Sequence, residues 1–348
     1  MAHHDDATTR RKQEHLRIAL ADDSVQRPGR SNGLHRFSFE SLSLPELDLD
    51  AVDLRCNLMG KELRAPLLIG AMTGGTSEAG ALNRVLAQAA QRCGVGFCLG
   101  SQRPMLDGNA GAQRSFRLRD VAHSTLLVGN IGGIQLRDQL SGAALERLAT
   151  EVGADAMYIH LNPLQEAVQP EGDRDWRGVH DAIAAAVSDC EVPVLVKEVG
   201  AGLSETTLRA LALTGIAGVE TAGVGGTSWS RIEALRHGVR TPGSIAGEVL
   251  ADFGIPTARS IGHARAAFPN RMVIASGGLR NGLEVAKCIA LGADAAAIAW
   301  PFLVAAQHGV DAVVTEVQGV IETLRITMFL VGAPTLSHLA NTPMFQAD

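Results

Sequence analysis

The stretch Tyr158-Ile159-His160-Leu161-Asn162-Pro163-Leu164-Gln165-Glu166 starts as a strand and ends in a cluster of polar groups. Tyr158, Ile159 and Leu161 are apolar or β-prone, and Asn162-Pro163 breaks the strand. Gln165 and Glu166 follow where a barrel strand would open onto its loop. An imidazole, an amide and a carboxylate therefore gather at one strand end, which is where barrel enzymes keep their chemistry.

Outward from this stretch, runs of the same kind recur. Strands are expected at Pro66–Thr73, Gly96–Ser101, Leu126–Asn130, Ala156–Leu161, Val194–Glu198, Gly218–Thr221, Met272–Ser276 and Ala295–Ala299. Each is short, continuously apolar and bounded by turn residues, as a strand buried on both faces should be. Helices are expected between them near Glu78–Cys93, Gly142–Glu151, Val179–Ser188, Glu205–Leu213 and Gly282–Leu291. Eight such units in order predict an α/β protein built as a (β/α)8 TIM barrel; a doubly wound sheet, the alternative, seldom needs eight regular units. Residues 1–60 form an N-terminal extension with a charged helix near Thr9–Leu20, ahead of the barrel unit at 61–348. An insertion at 229–257, with Gly238, Pro242, Gly243 and Gly247, has the length of a lid or binding loop. Residues 310–348 read as one or two closing C-terminal helices.

Of the 348 residues, 46% are hydrophobic and only 4% aromatic, so Ala, Val, Leu and Ile must build the core. The net charge of -6 gives no reason to expect nucleic acid or an anionic membrane as partner, and any anionic ligand must meet a local cationic site. Cys56, Cys93, Cys98, Cys190 and Cys288 are odd in number and form no CxxC pair, which suits reduced thiols in a cytoplasmic protein. The polar N-terminus has no apolar signal core. The least polar run, Cys288 to Ala306, is interrupted by Gly292, Asp294 and Pro301.

Several strand ends carry chemistry. Ser276-Gly277-Gly278-Leu279-Arg280 follows the seventh strand and Gly282 opens a helix. Glycines admit close backbone approach and helix-start amides bind phosphate, and the loops after strands seven and eight, the latter at Ala299-Trp300, are the phosphate site of this fold. A ligand-free tight turn is the alternative. Gly223-Val224-Gly225-Gly226-Thr227-Ser228 lacks the third glycine of a dinucleotide fingerprint but sets a hydroxyl, Thr227, beside that site. Lys197 ends an apolar strand, and lysine is seldom buried unpaired. It is a candidate partner for an anionic ring or phosphate; a salt bridge with Glu198 or another carboxylate is the alternative. Ala71-Met72-Thr73 and Asn130 offer small polar contacts for the edge of a flat heteroaromatic ring. Ser101-Gln102-Arg103 ends strand two, and Arg11-Lys12 lies in the first helix with His15. These cations suit a diphosphate, although Arg11-Lys12 also fits a solvated helix face. Glu166 with substrate phosphates and waters suits Mg2+, the alternative being a loop residue paired with Arg174 or Arg177. There is no zinc spacing and no GxSxG elbow.

The segments RKQEHL, AMTGG, GSQR, NIGG, HLNPLQE, VKEVGAG, GGTSW and SGGLRNG, in this order over roughly residues 10–305, resemble the type 2 isopentenyl-diphosphate isomerase family. That resemblance implies an FMN-binding barrel, a cytoplasmic homo-oligomer (tetramer or octamer), and interconversion of isopentenyl and dimethylallyl diphosphate. It implies reduced FMN, Mg2+ and NAD(P)H as electron source, with the flavin acting as acid and base. It assigns FMN to Ala71, Met72, Thr73, Ser101, Asn130, Lys197 and Thr227, and the FMN phosphate to Gly277, Gly278, Leu279, Arg280, Ala299 and Trp300. It assigns the substrate diphosphate to Arg11, Lys12, Ser101, Gln102 and Arg103. Gln165 falls beside the allylic carbons, His160 near the diphosphate, and Glu166 on Mg2+. Ala222 and Val224 stand where many members have Ser and Arg. A 2-hydroxy-acid oxidase on the same barrel would need a base, usually His, near the end of strand six, and that turn has none. A non-catalytic flavin- or phosphate-binding barrel would have no need of Gln165 and Glu166 together.

Overall fold

Eight short strands, β1 (Leu67–Ile69), β2 (Gly96–Cys98), β3 (Leu127–Gly132), β4 (Ala156–Leu161), β5 (Val194–Glu198), β6 (Gly218–Glu220), β7 (Met272–Ser276) and β8 (Ala295–Ile298), close into a parallel barrel in sequence order. The closure runs from β8 back to β1 through Ala297 opposite Leu68. The computed structural model describes residues 2–21, 25, 30–106 and 110–347, with the side chains of 2–9 and 110 outside that description.

The strands are apolar on both faces because both faces are buried. Their inward residues, among them Leu68, Cys98, Val128, Tyr158, Leu195, Ile274 and Ala297, form one cluster inside the barrel. Alanines leave room there, and Tyr158, the one tyrosine of the chain, fills it while fully buried. A hairpin of Cys56–Leu58 with Lys61–Leu63 adds Leu58 and Leu63 to this cluster, plugging the barrel from its N-terminal end. At the other end the interior turns polar. His160, Lys197 and Glu220 are direct neighbours in the strand register, so they share one level.

Local signals set the helices. Ser77–Cys93 starts where the Thr76 hydroxyl accepts from the Ala79 amide and stops at Gly94 in a left-handed conformation. Gly142–Val152 is bounded in the same way by Ser141 and Gly153. The insertion at 229–257 is not an open loop. It forms two packed helices, Trp229–Arg236 and Pro242–Val249, the second held by a Thr241–Ser244 capping box. Its glycine has a packing reason: a Cβ at Gly247 would collide with the Ser230 carbonyl of the facing helix. Further helices not read from the sequence occupy Arg103–Leu106, Ala110–Phe116 and Gly133–Gln139.

Helices at Val310–Leu330 and Leu336–Ala340 close the C-terminal end, and a strand at Met344–Gln346 pairs antiparallel with Phe37–Phe39. The first helix, Ala2–Ala21, reaches the strand ends: Leu16 and Ala19 are buried, and the Trp300 indole donates to the Ala19 carbonyl at 2.8 Å. Among the described residues, no helix is long and apolar enough to cross a membrane. All five cysteines are free.

Candidate active site

A cavity opens at the C-terminal ends of the strands, under the first helix. Its floor is the polar level of the barrel. The Lys197 ammonium donates to the Glu198 carbonyl at 2.6 Å and lies 3.6 Å from Glu220 Oε1. The Glu198 carboxylate itself turns back to accept the amides of Val199, Gly200 and Ala201, so Glu220 is the carboxylate that faces the lysine. The Ser276 hydroxyl donates to Glu220 Oε1 at 2.7 Å. The other predicted pairing, with the Glu198 carboxylate, is replaced by this one.

Asn130 fixes His160. The Asn130 amide nitrogen donates to the Leu99 carbonyl at 3.0 Å, which leaves its oxygen to accept from His160 Nδ1 at 2.8 Å. The ring therefore carries its proton on Nδ1 and offers Nε2 as an acceptor. Burial, then the charges of Lys197, Lys12 and Arg103, push the His160 pKa down to about 3. It is a neutral imidazole at physiological pH.

Asn162-Pro163 ends β4 and starts the helix Pro163–Val168, which carries Gln165 and Glu166. Pro at the first helical turn is well tolerated because its missing N–H has no partner to lose there. The Gln165 amide donates to Glu233 Oε1 at 3.0 Å. Glu233 is fully buried on the helix Trp229–Arg236 and gathers three more groups: His15 Nε2 at 2.8 Å, Arg236 at 2.7 Å and, with its amide turned to satisfy its neighbours, Gln169 at 3.0 Å. Burial raises its pKa, but His15, Gln165 and Arg236 more than offset this and hold it below the ordinary range. Glu166 lines the cavity with Oε1 accepting from Asn162 at 3.0 Å and Oε2 from the Asp173 amide at 2.9 Å. Neither Arg174 nor Arg177 pairs with it; Arg177 pairs with Asp175 instead.

At one end of the cavity the glycine turns 223–226 and 277–278 interlock. Gly277 and Gly278 have φ of 109° and 74°, and a Cβ on either would overlap the carbonyl of Gly223 or Gly225. Only glycine permits both the conformation and the approach. Arg280 lies beside this cradle, its guanidinium 5.6 Å from the centre of the Trp300 ring. Ala222 also has positive φ, 38°, which makes the strand-six turn a strained position for a residue with a Cβ.

At the other end stand Arg11, Lys12 and Arg103. The Lys12 ammonium donates to the carbonyls of Gly74 at 3.0 Å and Ser101 at 2.8 Å. Burial first, then Arg11 and Arg103, lower its pKa to about 7. Among the described residues, Arg103 and Arg11 have only loose carboxylate partners, Asp173 at 3.7 Å and Glu171 at 3.8 Å.

The predicted residues Arg11, Lys12, Ala71, Met72, Thr73, Ser101, Arg103, Asn130, His160, Gln165, Glu166, Lys197, Thr227, Gly277, Gly278, Leu279, Arg280, Ala299 and Trp300 all line this cavity. Gln102 does not. It is fully buried behind the strands, its Oε1 accepting the Asn130 amide at 2.8 Å and its Nε2 reaching the Leu148 carbonyl at 3.4 Å. Its neighbours in sequence point to the site, and alternation turns Gln102 to the opposite face. It is a brace for β3, not a diphosphate ligand. Glu220 and Glu233 were missed. Glu220 had a usable signal, an acidic residue ending an apolar strand as Lys197 does; Glu233 sits in a helix whose sequence resembles a solvated one.

Comparison with known proteins places this geometry. The chain is 44% identical to an isopentenyl-diphosphate delta-isomerase of Stutzerimonas stutzeri, over 97% of this chain and 96% of that one. It is 42% identical to one from Methanosarcina acetivorans, over 97% and 92%. The chain belongs to the isopentenyl-diphosphate delta-isomerase family. Within the family its barrel is of the type 2, FMN-dependent kind, and residues 179–346 match the model of the FMN-dependent dehydrogenases. Isomerases of this family thus share a barrel with oxidases: mandelate oxidase with (S)-2-phenylpropionate superposes with a TM-score of 0.66 at 17% identity, covering 99% of this chain and 98% of that one.

Proposed function

We propose that the protein interconverts isopentenyl and dimethylallyl diphosphate using reduced FMN and Mg2+. The observation that carries this reading is the division of one cavity into two anion-seeking ends, with Gln165 and His160 between them. Family membership supports it. The donor set fits FMN: the glycine cradle and Arg280 suit its phosphate, and Asn130 and Lys197 suit the edge of its ring. When bound, reduced FMN would supply an electron-rich ring able to give and take a proton. Mg2+ has a narrower fit. Among the described residues no three carboxylate, His or Cys groups converge, so Glu166 would hold the ion together with substrate phosphate oxygens and water.

The protein's own contribution is then orientation and exclusion. Arg11, Lys12 and Arg103 hold the diphosphate, and the first helix covers the strand ends and keeps water from a cation-like reacting centre. Neutral His160 offers Nε2 to the cavity as a hydrogen-bond acceptor without adding charge. Glu233 accepts from the Gln165 amide nitrogen and Asn162 donates to its oxygen at 3.2 Å, so the amide is fixed at the cavity wall. NAD(P)H as electron source, a homo-oligomer and a lid function for 229–257 belong to the same reading.

The test is to incubate the protein anaerobically with isopentenyl diphosphate, Mg2+ and reduced FMN in D2O and follow it by NMR. Deuterated dimethylallyl diphosphate is expected, with none when FMN stays oxidised. No product from protein that binds FMN would turn the assignment toward an oxidase, for which bleaching of the flavin by a 2-hydroxy acid is the direct check.

A further inference from the structure

Glu220 has no place in the reading so far, yet it sits at the cavity floor. It is 3% exposed and is the register neighbour of Lys197 across β5 and β6. Its Oε1 is held by Ser276 at 2.7 Å and lies 3.6 Å from the lysine, while its Oε2 makes no hydrogen bond among the described residues. Beneath it, the buried Tyr158 hydroxyl is close to both Glu220 and Cys98 but makes no hydrogen bond of ordinary geometry. A carboxylate so placed is expensive to bury, and its partial pairing with Lys197 leaves charge over.

We infer that Glu220 is a tuning residue: it positions Lys197 and offsets its charge, and so sets how strongly the site prefers reduced over oxidised FMN. This rests on the FMN reading above. Charge near the flavin ring is one of the few levers a protein has on its electronics. A lone buried lysine would favour a bound flavin in its more electron-rich reduced form over the oxidised one. Glu220, 3.6 Å from the ammonium, would weaken that pull by offsetting the lysine's charge. A purely structural carboxylate would change the affinity for both redox forms alike.

The experiment measures FMN dissociation constants, oxidised and reduced, for the wild type, Glu220→Gln and Ser276→Ala. In Glu220→Gln the preference for reduced over oxidised FMN should rise about tenfold, equivalent to a midpoint increase of about 30 mV. In Ser276→Ala, where the carboxylate loses its hydroxyl donor and its charge is less offset, the preference should fall about threefold. An unchanged ratio in both variants, or a lower ratio in Glu220→Gln, overturns the proposal while leaving the FMN reading intact. Should Glu220→Gln fail to fold, judged by circular dichroism, Ser276→Ala decides alone. A wild type that binds neither form of FMN overturns the FMN reading and this proposal with it.

Discussion

The two ends of the cavity seek anions by opposite means. Around Gly223–Gly226 and Gly277–Gly278 the work is done by backbone, locked by glycines that cannot be replaced without overlap. Around Arg11, Lys12 and Arg103 it is done by long side chains, and burial first, then the crowding of like charges, brings Lys12 to a pKa of about 7. A backbone site is set when the chain folds and is indifferent to pH. A side-chain site is strained until its anion arrives, so its affinity responds to pH and salt. The first suits a resident cofactor, the second a substrate that must come and go.

The sharpest way to break this comparison is Gly278→Ala. It should weaken FMN binding by about 2–4 kcal/mol through backbone strain and overlap, read by flavin titration, and leave diphosphate binding little changed; equal losses at both ends would erase the distinction. Gln165→Ala acts between the ends. It should lower kcat by about 100-fold with FMN affinity intact, and unchanged turnover would remove Gln165 from the chemistry. At the side-chain end, KM for the diphosphate should rise with pH above about 7, by up to about tenfold per unit, because the anion binds the protonated Lys12 better. Lys12→Arg should flatten that rise, and an identical profile would exclude Lys12 as its source. Glu166→Gln should raise the Mg2+ concentration for half-maximal rate by about tenfold; an unchanged magnesium titration would count against it as a ligand. The smallest effect concerns stability. The His160 pKa is about 3 when folded and ordinary when unfolded, so the unfolded chain binds a proton that the folded one refuses. Stability should therefore fall as pH drops from about 6.5 toward 3, and His160→Asn should reduce that slope in denaturant titrations.

Much of the fold could be read from the chain because buried parallel strands announce themselves. VLVKE and MVIAS, bounded by turn residues, fit little else, and the structure puts strands at Val194–Glu198 and Met272–Ser276. The hairpin at 56–63 and the pair of Phe37–Phe39 with Met344–Gln346 gave no such signal: each strand has three residues of mixed character, too few for a period to show. The helix pair in 229–257 was hidden by Gly243 and Gly247, which look like loop punctuation, although Gly247 serves helix packing. The site was legible wherever a strand ended in an unusual polar residue. Gln102 misled because sequence adjacency to Ser101 and Arg103 says nothing about which face of an extended chain a side chain takes.

The short sheet that joins Phe37–Phe39 to Met344–Gln346 has a consequence for how the protein comes into being. Its two strands are about 300 residues apart along the chain, so their contact is among the most non-local in the molecule, and contacts of this kind form late. On the ribosome the early strand must wait, an unpaired edge, until Met344–Gln346 has emerged.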